Sequence, residues 1–142
     1  IFYLGSPLTN SLPISINEKS LEILIVRMLK FYGTEKFVYI PHRNESLSIV
    51  NSLQKKYNFK VKNIGVPIEY FLSKSEHLPK TIISCFSSAL FNLDEILPKE
   101  INLESIYIPE SILIDNWNKQ NIIHCYEKIK KINRIKIRNI EW

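Results

Sequence analysis

Four short polar or glycine-containing segments of this 142-residue chain carry the residues whose types could bind a charged ligand and its hydroxyls. His42 stands between Pro41 and Arg43. Imidazole titrates near neutral pH, so His42 can donate a hydrogen bond to a phosphate or act as a general acid. Arg43 adds a permanent cation whose planar fork suits phosphate oxygens. Ser87 and Ser88 are adjacent, just after a β-rich run and before a helical one. Two hydroxyls and unpaired backbone N–H groups at the positive end of a helix make an anion site there. Glu69 follows Gly65-Val66-Pro67 in the first turn of another expected helix, where a carboxylate can accept from both hydroxyls of a ribose. Gly5-Ser6-Pro7 supplies a tight turn after the first apolar run. Each feature also has a plain structural reading. A loop His can be idle, a surface Arg needs no ligand, Ser87 can simply cap a helix, and Glu69 can complement a helix dipole.

Other residues are read as structural. Ser15-Ile16-Asn17-Glu18 has the form of a capping box, which assigns Glu18 to a helix start. His77 and His124 have no partners at ligand spacing. Cys85 and Cys125 lack any CxxC or Cys/His pattern, so they read as reduced structural thiols in a cytoplasmic setting. The chain contains no GxGxxG, GxxxxGK[ST] or GxSxG, which removes the main support for dinucleotide, P-loop and hydrolase-elbow chemistry. Its only aspartates are Asp94 and Asp115, so a carboxylate-bridged metal-diphosphate site is not expected. The chemistry left is a metal-free anion pocket of His and Ser, with a carboxylate for a sugar hydroxyl.

These residues need a scaffold, and hydrophobic periodicity supplies one. Runs rich in β-branched and aromatic residues at Ile1–Leu4, Phe37–Ile40, Lys60–Ile64, Thr81–Phe86 and Ser105–Ile108 predict five strands. Between them, Leu21, Leu24, Ile25, Met28, Leu29 and Tyr32 share one helical face, and Gly33 follows as a stop. Further helices are expected over Ser46–Tyr57, from Pro67, over Ser88–Ile96 and over Asn121–Lys131, with a basic tail from Lys130 to Arg138. Strand and helix in alternation predict an α/β fold, a Rossmann-like parallel sheet flanked by helices. Ligands of such sheets sit beyond the carboxyl ends of the strands. The segments Gly5-Ser6-Pro7, Pro41-His42-Arg43-Asn44-Glu45, Gly65-Val66-Pro67-Ile68-Glu69 and Ser87-Ser88 all follow expected strands, so they should converge on one edge.

Composition sets the outer limits. A hydrophobic fraction of 45% and only two Cys over 142 residues describe one globular domain, excluding disorder, collagen and a disulfide scaffold. Short, interrupted apolar stretches with no charged leader predict a soluble chain without signal peptide or membrane span. The abrupt apolar start at Ile1-Phe2-Tyr3-Leu4 reads as a cut from a longer protein. The formal charge of +5 allows an anionic partner, but 24 Ile, 15 Lys and 13 Asn reflect an AT-rich coding bias as readily. No aromatic-basic interleaving supports nucleic-acid binding.

Together the motifs resemble a known family. Tyr39-Ile40-Pro41-His42, Gly65-Val66-Pro67-Ile68-Glu69 and Phe86-Ser87-Ser88-Ala89-Leu90, in this order and spacing, resemble the C-terminal half of bacterial sialyltransferases. The likeness is to glycosyltransferase family 52, the lipooligosaccharide sialyltransferases, with kinship to capsular polysialyltransferases and family 80. Tyr3-Leu4-Gly5-Ser6-Pro7-Leu8 resembles the strand and glycine turn that open their nucleotide-binding domain, and the likeness spans roughly Ile1 to Leu93. It implies that His42 touches the phosphate of CMP and assists its departure, that Glu69 binds the cytidine ribose, and that Ser87 and Ser88 hold the phosphate. Arg43 departs from the pattern by replacing the proline after the histidine.

The resemblance further implies a GT-B enzyme of two Rossmann-like domains, of which this chain is the C-terminal, CMP-sialic-acid-binding one. An N-terminal, acceptor-binding domain would be its partner. Sialic acid would pass from CMP-sialic acid to a galactose-terminated glycan, with inversion and without a metal or cofactor. The general base would be Glu18 or a residue of the other domain. The expected location is the bacterial cytoplasm, at the inner membrane face if Lys128, Lys130, Lys131, Arg134, Lys136 and Arg138 meet anionic lipid. Other readings of the same residues are a GT-B enzyme using a different nucleotide sugar, or a module that binds and does not catalyse.

Overall fold

In a computed structural model, which describes residues 1–9 and 13–142, the alternating runs become alternating elements. The strands are β1 (Phe2–Leu4), β2 (Val38–Ile40), β3 (Lys60–Val61), β4 (Thr81–Ser84), β5 (Asn102–Tyr107) and β6 (Ile135–Asn139). The helices are α1 (Glu18–Tyr32), α2 (Leu47–Tyr57), α3 (Ile68–Ser73), α4 (Ser88–Ile96) and α5 (Lys119–Lys130). All strand pairs are parallel, in the order β3-β2-β1-β4-β5-β6. This is the α/β, Rossmann-like sheet that the periodicity predicts. Among the described residues no helix is long and apolar enough to cross a membrane.

The order places β1 at the centre. From β1 the chain builds outward through β2 and β3, then crosses back to β4 and continues the other way. The reversal between β1 and β4 is the topological switch point, where loops part and leave a crevice at the carboxyl ends of the strands. Parallel strands covered on both faces are expected to be uniformly apolar, and Tyr3, Tyr39, Ile82, Ile83, Leu103 and Ile106 are all buried. Tyr3 stacks on Phe37 and meets Tyr39 edge-on, with ring centroids 5.7 and 5.0 Å apart. Leu24, Ile25 and Met28 bring the apolar face of α1 fully into this core.

Several details differ from the sequence reading. The tail expected from Lys130 to Arg138 ends in a sixth strand, because Ile135 and Ile137 alternate with Lys136 and Arg138 at the two-residue period of a sheet. Strand β3 is two residues long rather than five, and β5 begins three residues before Ser105. The cap of α1 is Asn17 rather than Ser15: Asn17 Oδ1 accepts from the Ser20 N–H at 2.8 Å. Ser15 is buried instead, and its carbonyl accepts from the Ile114 N–H at 2.9 Å. Pro67 is the residue before α3 rather than its first helical one. At the far end of α1, Gly33 takes φ +86°, and its N–H returns to the Leu29 carbonyl at 3.0 Å, the glycine stop that the sequence indicates.

Arg134, read as part of the basic tail, faces inward. Its guanidinium donates to the carbonyls of Asp94 (2.9 Å), Leu97 (3.1 Å), Pro98 and Ile101 (3.1 Å). It also lies 3.4 Å from the Asp94 carboxylate. A cation there satisfies the carbonyls that the end of α4 leaves without helical partners. Arg138 likewise pairs with Glu104, through Nε at 2.9 Å and Nη2 at 2.8 Å, and Tyr32 donates to the same carboxylate at 2.6 Å.

Candidate functional site

The loops after β1, β2 and β4 meet at the carboxyl ends of the central strands. Gly5 donates its N–H to the Ile40 carbonyl at 2.9 Å, which holds the first loop against the end of β2. On the other side, the Ser84 hydroxyl donates to the Leu4 carbonyl at 2.9 Å, tying the end of β4 to β1.

His42 sits in a tight turn closed by the Glu45 N–H donating to the His42 carbonyl at 2.9 Å. The Asn44 N–H donates to His42 Nδ1 at 3.1 Å. With Nδ1 accepting, the neutral ring carries its proton on Nε2. Partial burial, then the Arg43 charge, pushes the imidazole below its ordinary value, which favours that neutral form. His42 and Arg43 are both exposed, and Arg43 pairs with no carboxylate among the described residues.

Ser87 is the N-cap of α4, with extended backbone, and its hydroxyl accepts from the Ala89 N–H at 3.3 Å. The capping role allowed for it by the sequence is therefore present in the fold. Ser88 is the first residue of α4, and Asn92 lies one turn later on the same side of the helix. Asn92 Nδ2 donates to Glu69 Oε1 at 2.8 Å. That bond brings Glu69, the second residue of α3, beside the helix that Ser88 opens. Ser88, Asn92 and Glu69 thus form one polar strip, and Asn92 is a member that sequence reading missed. Its signal was available: Ser88 and Asn92 are four apart on an expected helix.

The second omission is Glu45. Its Oε1 accepts from the Tyr39 hydroxyl at 2.6 Å and its Oε2 from the His42 N–H at 2.7 Å. Burial pushes this carboxyl up to about 7, against the opposing pull of hydrogen bonds from Tyr39 and from the backbone at His42 and Ser6. Gly5 is bound to the same group by space. A Cβ at Gly5 would overlap Oε2 of Glu45, and would stand 2.8 Å from Tyr39 Cε1 and 2.9 Å from Glu45 Cδ. So Gly5, whose turn resembles the one that opens a nucleotide-binding domain, is required here first of all by a carboxylate.

Cys85, His77 and His124, read as structural, keep that role, whereas Glu18 is the first residue of α1 rather than the closing residue of a capping box. Cys85 is buried, its Sγ is 3.7 Å from the Tyr3 hydroxyl, and burial pushes the thiol up to about 12, well away from reactivity. His124 lies 3.4 Å from Glu127 on the exposed side of α5, and His77 is exposed. Glu18, in the first turn of α1, lines an open depression with Glu22, Ser48 and Lys56 between α1 and α2. Among the described residues no three His, Cys, Asp or Glu side chains gather as a metal site. A broader depression of about 1090 Å³ lies at the other end of the sheet, near Phe2, Val38 and Lys60, where the strands begin. Size alone does not mark a ligand site. The loops and the helix N-terminus favourable to a ligand are at the carboxyl ends.

No protein-family model matches the chain, and no curated protein matches it in sequence.

Proposed function

We propose that the chain is the nucleotide-binding domain of a sialyltransferase that takes CMP-sialic acid as donor and a galactose-terminated glycan as acceptor. The observation that supports this reading is the grouping at one switch point. A neutral His bearing its proton on Nε2, a helix N-terminus opened by paired serines, and a carboxylate beside that helix share the carboxyl edge of one sheet. A monophosphate fits the Ser87/Ser88 end, where the helix terminus offers N–H groups and positive potential. Glu69, one helical turn from Ser88 through Asn92, is within a nucleoside's reach of that phosphate and suits its ribose hydroxyls.

In the reaction, the acceptor hydroxyl oxygen forms a bond to the anomeric carbon as the bond from that carbon to the phosphate oxygen breaks. The electron pair leaves with CMP, and the acceptor's proton goes to a base, Glu18 or a carboxylate of a companion domain. His42 contributes an Nε2–H hydrogen bond to the phosphate as its charge grows, with Arg43 adding a cation. A neutral imidazole serves here, since a phosphate monoester leaves without needing full protonation. Lys128, Lys130, Lys131 and Lys136 stay exposed and would favour an anionic membrane surface bearing the acceptor.

Calorimetric titration of the 142-residue chain with CMP, UMP and GMP, without added metal, tests this reading. The expected result is CMP-selective heat that is lost in Glu69→Ala and in the Ser87→Ala/Ser88→Ala double variant. Equal binding of all three nucleotides would transfer the reading to a different nucleotide sugar, and no binding to any of them would remove it.

A further inference from the structure

The carboxylate at position 45 has more partners than a loop residue needs. It joins three segments of the crevice: Tyr39 at the end of β2, the backbone of His42, and the Gly5 turn after β1, whose missing side chain leaves it room. We propose that Glu45 is the positioning residue of the site, holding the His42 turn so that the imidazole presents Nε2–H to the anionic group of the ligand. This deepens the function proposed above and rests on it for the identity of the ligand.

The geometry carries the argument. The His42 backbone has two restraints in one turn, its carbonyl accepting from Glu45 N–H at 2.9 Å and its N–H donating to Glu45 Oε2 at 2.7 Å. The ring has a third, from the Asn44 N–H to Nδ1. Backbone and ring are therefore fixed by one turn running from His42 to Glu45, and the turn is fixed to the sheet by the Tyr39 hydroxyl. An ionised carboxylate makes the stronger acceptor for the His42 N–H, since charge-assisted hydrogen bonds are the shorter and stronger ones. The grip should thus tighten as Glu45 loses its proton. The groups facing Glu45 are Tyr39 from β2, Tyr3 from β1, Cys85 from β4, and His42 with Arg43 on its own loop. Burial holds Tyr3, Tyr39 and Cys85 protonated throughout the neutral range. Arg43 stays charged at every working pH. Only Glu45 and His42 change charge there.

The test follows His42 by nuclear magnetic resonance in the ¹⁵N-labelled 142-residue chain, from acid to alkaline pH, in the wild type and in Glu45→Gln. The wild type should show the Nε2–H tautomer and a His42 amide proton that shifts with the Glu45 titration. Glu45→Gln, the same size but without charge, should keep a dispersed spectrum and lose that transition. Unchanged His42 amide and ring signals in Glu45→Gln would overturn the proposal. Should Glu45→Gln fail to fold, Tyr39→Phe serves instead: removing a hydrogen bond that favours the carboxylate should move the His42 amide transition to higher pH, and an unmoved transition would count against the proposal. Turnover of CMP-sialic acid by the full-length protein gives a second reading. Glu45→Gln should lower kcat by about tenfold to a hundredfold while the donor KM stays within about threefold, as for a misplaced reacting group, with part of the rate restored by Glu45→Asp. If the wild type binds no CMP and turns nothing over, the function proposed above falls, while the His42 spectra still decide whether Glu45 holds the turn.

Discussion

At the scale of single residues, the site depends on one steric exchange: Gly5 gives up a side chain so that Glu45 can lie beneath the His42 turn. Gly5→Ala should therefore destabilise the chain by about 1–3 kcal/mol, the usual cost of overpacking. Glu45→Ala should cost a comparable amount through the lost contacts of a partly buried acid. Combined, the two should cost clearly less than their sum, because shortening Glu45 makes the space that the new methyl needs. Chemical denaturation of the four proteins measures the difference, and strict additivity would mean that Gly5 is glycine for another reason. None of this was legible in the sequence. His42, Glu69 and the serine pair are visible as chemical types after strands, but Glu45 acquires its meaning from Tyr39 and Gly5, which become its neighbours only when β1 and β2 pair. Asn92 was half legible: its place four residues after Ser88 can be read from spacing, but its bond to Glu69 exists only once α3 and α4 pack together.

At the scale of elements, the apolar runs and their alternation were enough to locate α1 and the four central strands, since strands covered on both faces are mostly apolar. The edges were harder to read. Strand β6 was concealed by its charge: a basic stretch suggests a solvated tail, although Ile135 and Ile137 keep the period of a strand. Its side chains also have separate uses. Arg138 is committed to Glu104, and Arg134 to the end of α4, so two of the six basic residues assigned to a partner surface serve the fold. Arg134→Met should lower stability by about 3 kcal/mol, because several carbonyls and a carboxylate lose a charged donor together. Arg134→Lys should recover only part of that, having no planar fork. Thermal unfolding would check both, and a silent Arg134→Met would show that water satisfies those carbonyls equally well. The one remaining charge on β6, the exposed Lys136, has a use at the open edge of the sheet, where lysine discourages pairing with a second molecule.

At the scale of the whole molecule, two acids of opposite tendency shape the response to pH. Burial raises Glu45 from 4.5 to about 7, so its folded form favours the proton. Its contribution is complete below the ordinary glutamate range and is lost as pH rises through about 7, a swing of about 3 kcal/mol for a shift of this size. Burial also acts upward on Glu104, but hydrogen bonds from Arg138 and Tyr32, together with nearby positive charge, outweigh it and leave that carboxyl below 4.5. The contribution of Glu104 is present above 4.5 and is lost as pH falls through its lowered folded value. Thermal scans of the wild type should therefore show stability declining between about pH 4.5 and about 7 and levelling off above that. In Glu45→Gln the decline between about pH 4.5 and 7 should flatten and the acid limb remain; an unchanged decline over that window would assign it to another group.

The clash between a side chain at Gly5 and the carboxylate of Glu45 also has a historical meaning. Descendants of this chain cannot try every substitution in any order. Replacement of Gly5 is penalised while Glu45 is present, and becomes tolerable only in lineages that have already shortened it. A lineage that then fills position 5 finds the return of glutamate blocked. The pair excludes one combination of side chains, and each lineage's path around it would be recorded in which of the two positions changed first.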